Sequence, residues 1–227
     1  MGDILLKDQP CKCGSSDAKV YYMDGGSHCF SCGVGKKVDS PDGNAKPTSQ
    51  YKPTGKVSLA DVRGMGSADL MSRGISQAVV DMFKVKVGYD TATRTPSDWY
   101  FPDNKDNETI GYKARKVQDK AFYSVGTLGK EVDPFGWHRV SASGKLLIIT
   151  EGEIDTLSAT QMIKDKGKDY KVVSIPNGAA GADKFIATHL NLLENFEKII
   201  LNFDDDEPGQ EAVKLSAKML KPGQCYI

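Results

Sequence analysis

Apolar residues gather in three short, predominantly apolar runs in the C-terminal third of this chain, at 146–150, 171–175 and 198–203. Runs of this length without alternation predict strands buried on both faces. The stretches between them predict helices starting near Glu153, over 183–193 and over 208–220. Strand and helix in alternation predict a parallel sheet with crossover helices. The last residues, 225–227, read as the start of a fourth strand. Upstream the pattern changes. Segments 85–89, 99–102, 109–116 and 121–125 read as strands of an antiparallel sheet, with a polar turn over 103–107. Ser58 precedes LADVRG as a helix cap, and Ser76 caps a second helix running to 83. Near the N-terminus, Val20 to Tyr22 read as a short strand, Asp24 to Gly26 as a hairpin turn, and Phe30 as part of the returning strand.

The fold class is therefore mixed. Residues 1–36 form a cysteine-rich ribbon and 37–57, dominated by Pro, Gly, Ser, Thr and Lys, a flexible linker. Residues 58–145 form an α+β subdomain, and 146–227 an α/β subdomain left incomplete at its C-terminal end. There are no internal repeats.

Composition narrows the possibilities. Lys plus Arg equals Asp plus Glu at 30 each, so the formal charge is zero. That argues against a broad basic coat for duplex DNA. It leaves room for a local basic groove, since Lys113, Arg115, Lys116 and Lys120 lie close together with Lys105 nearby. No apolar run is long enough to span a bilayer, and the N-terminus lacks the features of a secretory signal. The expected setting is cytoplasmic, without membrane attachment. Four of the five cysteines, Cys11, Cys13, Cys29 and Cys32, lie near the N-terminus, which suits metal binding in a reducing compartment better than disulfides. Four thiolates would make a closed tetrahedral zinc site. Such a ribbon is too small to be held by apolar burial alone, so the metal would supply much of its folding energy.

The first and third apolar runs end in carboxylates, Glu151 in one case and Asp204 and Asp206 in the other. Crowded carboxylates repel one another unless a cation compensates, and hard cations such as Mg²⁺ take oxygen ligands. Ligand sites in open α/β sheets lie outside the carboxyl ends of the strands. A solvated acidic loop after each strand is the plainer alternative. Trp99, Tyr100 and Tyr112 are open to two readings, stacking on bases or packing in the core. Asp155 reads as a helix N-terminal charge, and His138 and His189 as structural.

EGEID at 151–155 followed by Asp204, Asp206 and Gly209 resembles the toprim fold shared by primases, topoisomerases and some nucleases. CGSSD at 13–17 with DGGSHCFSCG at 24–33 resembles the zinc-binding domain of bacteriophage primase–helicases, and SRGIS at 72–76 and YKARK at 112–116 resemble segments between the two. The order and spacing agree over nearly the whole chain with the primase half of that bifunctional family.

The resemblance implies a DNA primase, a nucleotidyltransferase making short RNA primers on single-stranded DNA from ribonucleoside triphosphates. It implies structural Zn²⁺ on Cys11, Cys13, Cys29 and Cys32, and Mg²⁺ on Glu151, Asp204 and Asp206, with Glu151 also the general base. Lys113, Arg115 and Lys120, with Asn177 and Gly178, would hold nucleotide and template. Partners would be a replicative helicase, fused or separate, and a DNA polymerase, in an infected bacterial cell. The chain departs from the family in pairing Cys11 with Cys13 through one residue instead of two, so His28 is an alternative zinc ligand. The family pattern also places a further acidic residue, further strands and a helicase domain downstream of Ile227, so the chain reads as a C-terminally truncated form. Two other classes share parts of the pattern: RecR-type recombination mediators, which join a zinc module to a toprim fold without catalysis, and toprim nucleases.

Overall fold

The computed structural model describes residues 4–12, 15, 18–22, 26–31, 34–36, 57–106, 108–126, 132–176 and 178–227. The chain divides into two compact units, Met1–Gln50 and Tyr51–Ile227.

The first unit is a four-stranded antiparallel sheet of β1 (Ile4–Gln9), β2 (Lys19–Tyr22), β3 (Ser27–Cys29) and β4 (Gly35–Lys36), in that order. Strands β1 and β4 go beyond the expected hairpin. Phe30 lies just past β3 in a turn instead of within the strand, its N–H donating to the Ala18 carbonyl at 2.8 Å. Among the described residues of this unit, Val20 and Cys29 are the buried hydrophobics. Cys13 and Cys32, the first two residues of the hairpin turn, and 37–56 of the expected linker lie outside the described residues. Val57, taken as linker, packs instead against the apolar cluster that begins the second unit.

The second unit contains two sheets. The first is an antiparallel meander of β5 (Lys86–Tyr89), β6 (Pro96–Lys105), β7 (Glu108–Lys116) and β8 (Phe122–Gly126). One face of it, with Tyr100, Tyr112, Ala114 and Val125, packs on Val62 of α1 (Leu59–Gly64). Ser58 caps that helix in a full capping box, its Oγ accepting from the Asp61 N–H while Asp61 accepts from the Ser58 N–H. The other face, with Trp99 and Phe101, packs on α2 (Gln77–Met82) and on Leu157 of α3 (Glu153–Asp165). Trp99, Tyr100 and Tyr112 are all buried, so they pack in the core and are not free to stack on bases.

Two local expectations are corrected. The polar segment after Pro102 is not a turn from Asp103 onward: β6 continues to Lys105, with a register shift at Asp103/Asn104, and Lys105 pairs with Glu108. Ser76 stands at the start of α2 but does not cap it. Its Oγ and N–H both donate to Gln161 Oε1 on α3, at 2.7 and 3.0 Å.

The second sheet is wholly parallel, built from β9 (Gly144–Thr150), β10 (Lys171–Ser174), β11 (Phe196–Asn202) and β12 (Cys225–Tyr226) in the order β10-β9-β11-β12. Leu147, Ile149, Val173 and Leu201 join Phe185 and Ile186 of α4 (Ala182–Leu193) and Val213 of α5 (Glu207–Met219) in the largest core cluster. The alternate β9 position Thr150 turns to α3, where its Oγ1 meets Thr156 Oγ1 at 2.7 Å. Helix α3 thus lies between the two sheets and locks them together. His138 and His189 bond backbone carbonyls, of Met82 at 3.1 Å and Phe185 at 2.9 Å.

Candidate active site

The carboxyl ends of β9, β10 and β11 share one edge, and Glu151 ties their loops together. Its Oε2 accepts from the Asp204 N–H and its Oε1 from the Ala179 N–H, each at 3.2 Å. Gly178 closes in behind this carboxylate. Its φ of +66 suits glycine, and a Cβ there would come within 3.4 Å of Glu151 Oε1. Burial raises the Glu151 pKa above the ordinary range; the two amides counteract this, while the charges of Asp204 and Asp206 push it further up. Asp155 is raised by burial first and then by Asp204. Those couplings put Glu151, Asp155, Asp204 and Asp206 in one electrostatic neighbourhood.

Asp206 also caps α5, accepting from the Gly209 N–H at 2.9 Å. Glycine is required at 209, because a Cβ there would lie 2.2 Å from the Asp204 carbonyl oxygen. Among the described residues no three His, Cys, Asp or Glu side chains stand close enough to chelate one ion. The physical reason is visible: Glu151 is turned onto two amides and Asp206 onto its helix, which spares bare carboxylates from meeting. The donor set, all carboxylate oxygen, still fits a hard divalent cation.

The basic residues reach this edge from the antiparallel sheet. Strand register puts Lys113 opposite Phe101 and Arg115 opposite Trp99, on the face covered by α3. Lys113 Nζ bonds both oxygens of Glu153 at 3.0 and 3.1 Å. Arg115 has its charge opposed by burial and by Arg73, and supported by Asp155 and Glu153. Asp155 acts electrostatically on Arg115, and Asp204 on Asp155, so the basic strand and the acidic edge are neighbours. Lys120 is exposed in the turn after β7 with φ +57 and does not line the cleft described next. Asn177 lies outside the described residues.

A cleft of about 280 Å³ opens beside this edge, lined among others by Asp103, Lys113, Phe122, Ser124, Glu153 and Pro176. Asp103 was not foreseen as part of any site. Burial, with Glu153 adding to it and Lys113 opposing, lifts its pKa to about 6. The signal was the alternation Trp99, Phe101, Asp103, which becomes readable only once the strand is known to run past Pro102.

In the first unit, Cys29 is buried and Cys11 half-buried, and both act electrostatically on the Lys19 ammonium, whose pKa is raised chiefly by its contact with Tyr21. Two of the four predicted thiol ligands thus share one neighbourhood. His28 faces Phe30 edge-on, ring centroids 4.9 Å apart.

Fold and site together define a toprim-type α/β protein, and residues 148–227 match the family described as Toprim-like. The chain is 33% identical over 232 residues to a DNA helicase/primase of Enterobacteria phage T3, an overlap of 99% of this chain and 39% of that protein. It therefore spans about two fifths of that relative's length. It superposes on the crystal structure of the primase fragment of the bacteriophage T7 primase–helicase protein with a TM-score of 0.62 at 28% identity, covering 98% of this chain and 89% of that one. A second match, TM-score 0.59 at 30% identity, covers 74% of this chain and 82% of a chain from the structure of bacteriophage T7 lagging-strand DNA polymerase interacting with primase domains bound to an RNA/DNA hybrid and dTTP. The chain belongs to the phage primase–helicase family, and the part it represents corresponds to the primase fragment. These likenesses do not favour the recombination-mediator and nuclease readings. Among the described residues no helix is long and apolar enough to cross a membrane.

Proposed function

We propose that this chain is the priming part of a phage replicative primase–helicase, making short oligoribonucleotides on a single-stranded DNA template from ribonucleoside triphosphates. The observation that carries the proposal is the gathering of Glu151, Asp204 and Asp206 at one sheet edge, beside the Lys113 and Arg115 face. In the reaction the primer 3′-hydroxyl oxygen bonds to the α-phosphorus, the α–β bridging bond breaks, and pyrophosphate leaves. Glu151, whose half-buried carboxyl holds protons more readily than usual, takes the hydroxyl proton. Its two amide bonds fix it for that task. Lys113 and Arg115 orient the triphosphate, as fixed cations along a phosphate path do; Lys120, Asn177 and Gly178 are the other nucleotide and template residues that the family resemblance implies. Glu151, Asp204 and Asp206 would hold Mg²⁺, which when bound activates the attacking oxygen and stabilises the leaving group.

In the first unit Cys11, Cys13, Cys29 and Cys32 would hold a structural Zn²⁺, and the ribbon would read the initiation site on the template. A replicative helicase and a DNA polymerase are the expected partners. The test is primer synthesis with labelled ribonucleotides, Mg²⁺ and single-stranded DNA of varied sequence. Oligoribonucleotide from the chain, and at least about 100-fold less from Asp204→Ala, supports the reading. Equal product from the Asp204→Ala chain overturns it.

A further inference from the structure

Phe122 is a large apolar side chain left 53% exposed on β8, yet two cations of β7 border its ring. Register pairs Phe122 with Arg115 and Ser124 with Lys113, so all four share the sheet face that looks toward the acidic edge. Lys113 Nζ lies 5.0 Å and Arg115 Cζ 5.5 Å from the ring centroid. The ring lines the cleft together with Glu153 and Pro176, each two residues from Glu151 and Gly178.

We propose that Phe122 is the platform on which the base of a bound nucleotide stacks, a role that rests on the nucleotidyl-transfer reading of the neighbouring site. Lys113 then touches both halves of one ligand. Its ammonium borders the ring that would carry the base and is held by Glu153, from which an arriving phosphate would draw it. Stacking on a phenylalanine ring is indifferent to base identity, because every base presents a π-face. That suits a site that must accept whichever nucleotide the template calls for. Apolar burial gives the ring no such position, since the core of this sheet lies on Trp99 and Phe101 and on the opposite face.

The experiment titrates the 227-residue chain with a ribonucleoside triphosphate and, separately, with inorganic tripolyphosphate, in Mg²⁺, by calorimetry. Phe122→Leu should weaken nucleotide binding about tenfold and leave tripolyphosphate binding as it was. Phe122→Trp should keep nucleotide affinity, and its fluorescence should be quenched by the nucleotide and not by tripolyphosphate, over the constant signal of Trp99 and Trp137. Nucleotide binding by Phe122→Leu equal to that of the unsubstituted chain overturns the stacking role and leaves the nucleotidyl-transfer reading standing. Binding of neither ligand by the unsubstituted chain overturns both.

Discussion

Glu151 balances opposing forces on one carboxylate. Burial and two acidic neighbours favour its protonated form, while two backbone amides favour its charge. Glu151→Gln keeps the shape, removes the proton acceptor and sets an amide against an N–H. Primer synthesis should fall by about 10²-fold or more, while the far-ultraviolet circular dichroism stays native. Asp103 gives a cleaner reading of pH. In the folded chain its carboxyl holds the proton to about pH 6, against 3.8 for the ordinary carboxyl. The folded state therefore binds more protons than the unfolded one across that window, and stability falls as pH rises through it. The loss is on the order of 3 kcal/mol. Asp103→Asn should flatten urea midpoints measured between pH 4 and pH 7; an unchanged slope would show that another group sets it.

At the scale of elements, the tight approach of α5 to the β11 loop makes Gly209 irreplaceable. Gly209→Ala drives a Cβ into the Asp204 carbonyl and should cost about 1–3 kcal/mol while displacing Asp204 and Asp206 together. Thermal melting and Mg²⁺-dependent synthesis would both report it. The elements that carry the acidic residues were readable because each is an apolar run too short for a helix and ends where carboxylates begin. Strand β1 was not, because Ile4–Gln9 turns from apolar to polar without alternating and is specified by its partner β2. The end of β6 was misread for a related reason. Asp and Asn at 103–104 are turn formers by local preference, and pairing with β7 overrides it. The same error hid Asp103. Ser76 shows the limit of cap rules: a hydroxyl at a helix start serves whichever acceptor is near, here Gln161 from a helix distant in sequence.

The whole molecule comprises two units with different sources of stability. The first would lean on zinc, while the second has one core between α3 and the antiparallel sheet and another between the parallel sheet and α4 and α5. Both tryptophans, Trp99 and Trp137, lie in the second unit. Removing zinc with a zinc-selective chelator, in excess Mg²⁺, should therefore abolish template-dependent initiation and leave the tryptophan-monitored unfolding transition where it was. A shift of that transition would show that the metal supports the second unit as well. Equal numbers of acidic and basic residues have a local counterpart in the bond between Lys113 and Glu153. A lysine whose counterion is already covalently part of the chain has few mobile ions to shed when a phosphate arrives. The logarithm of nucleotide affinity should consequently decline only gently with the logarithm of monovalent salt, whereas an open lysine would show the steeper slope of counterion release. Glu153, once displaced, becomes a resident anion facing whatever cation the nucleotide brings with it.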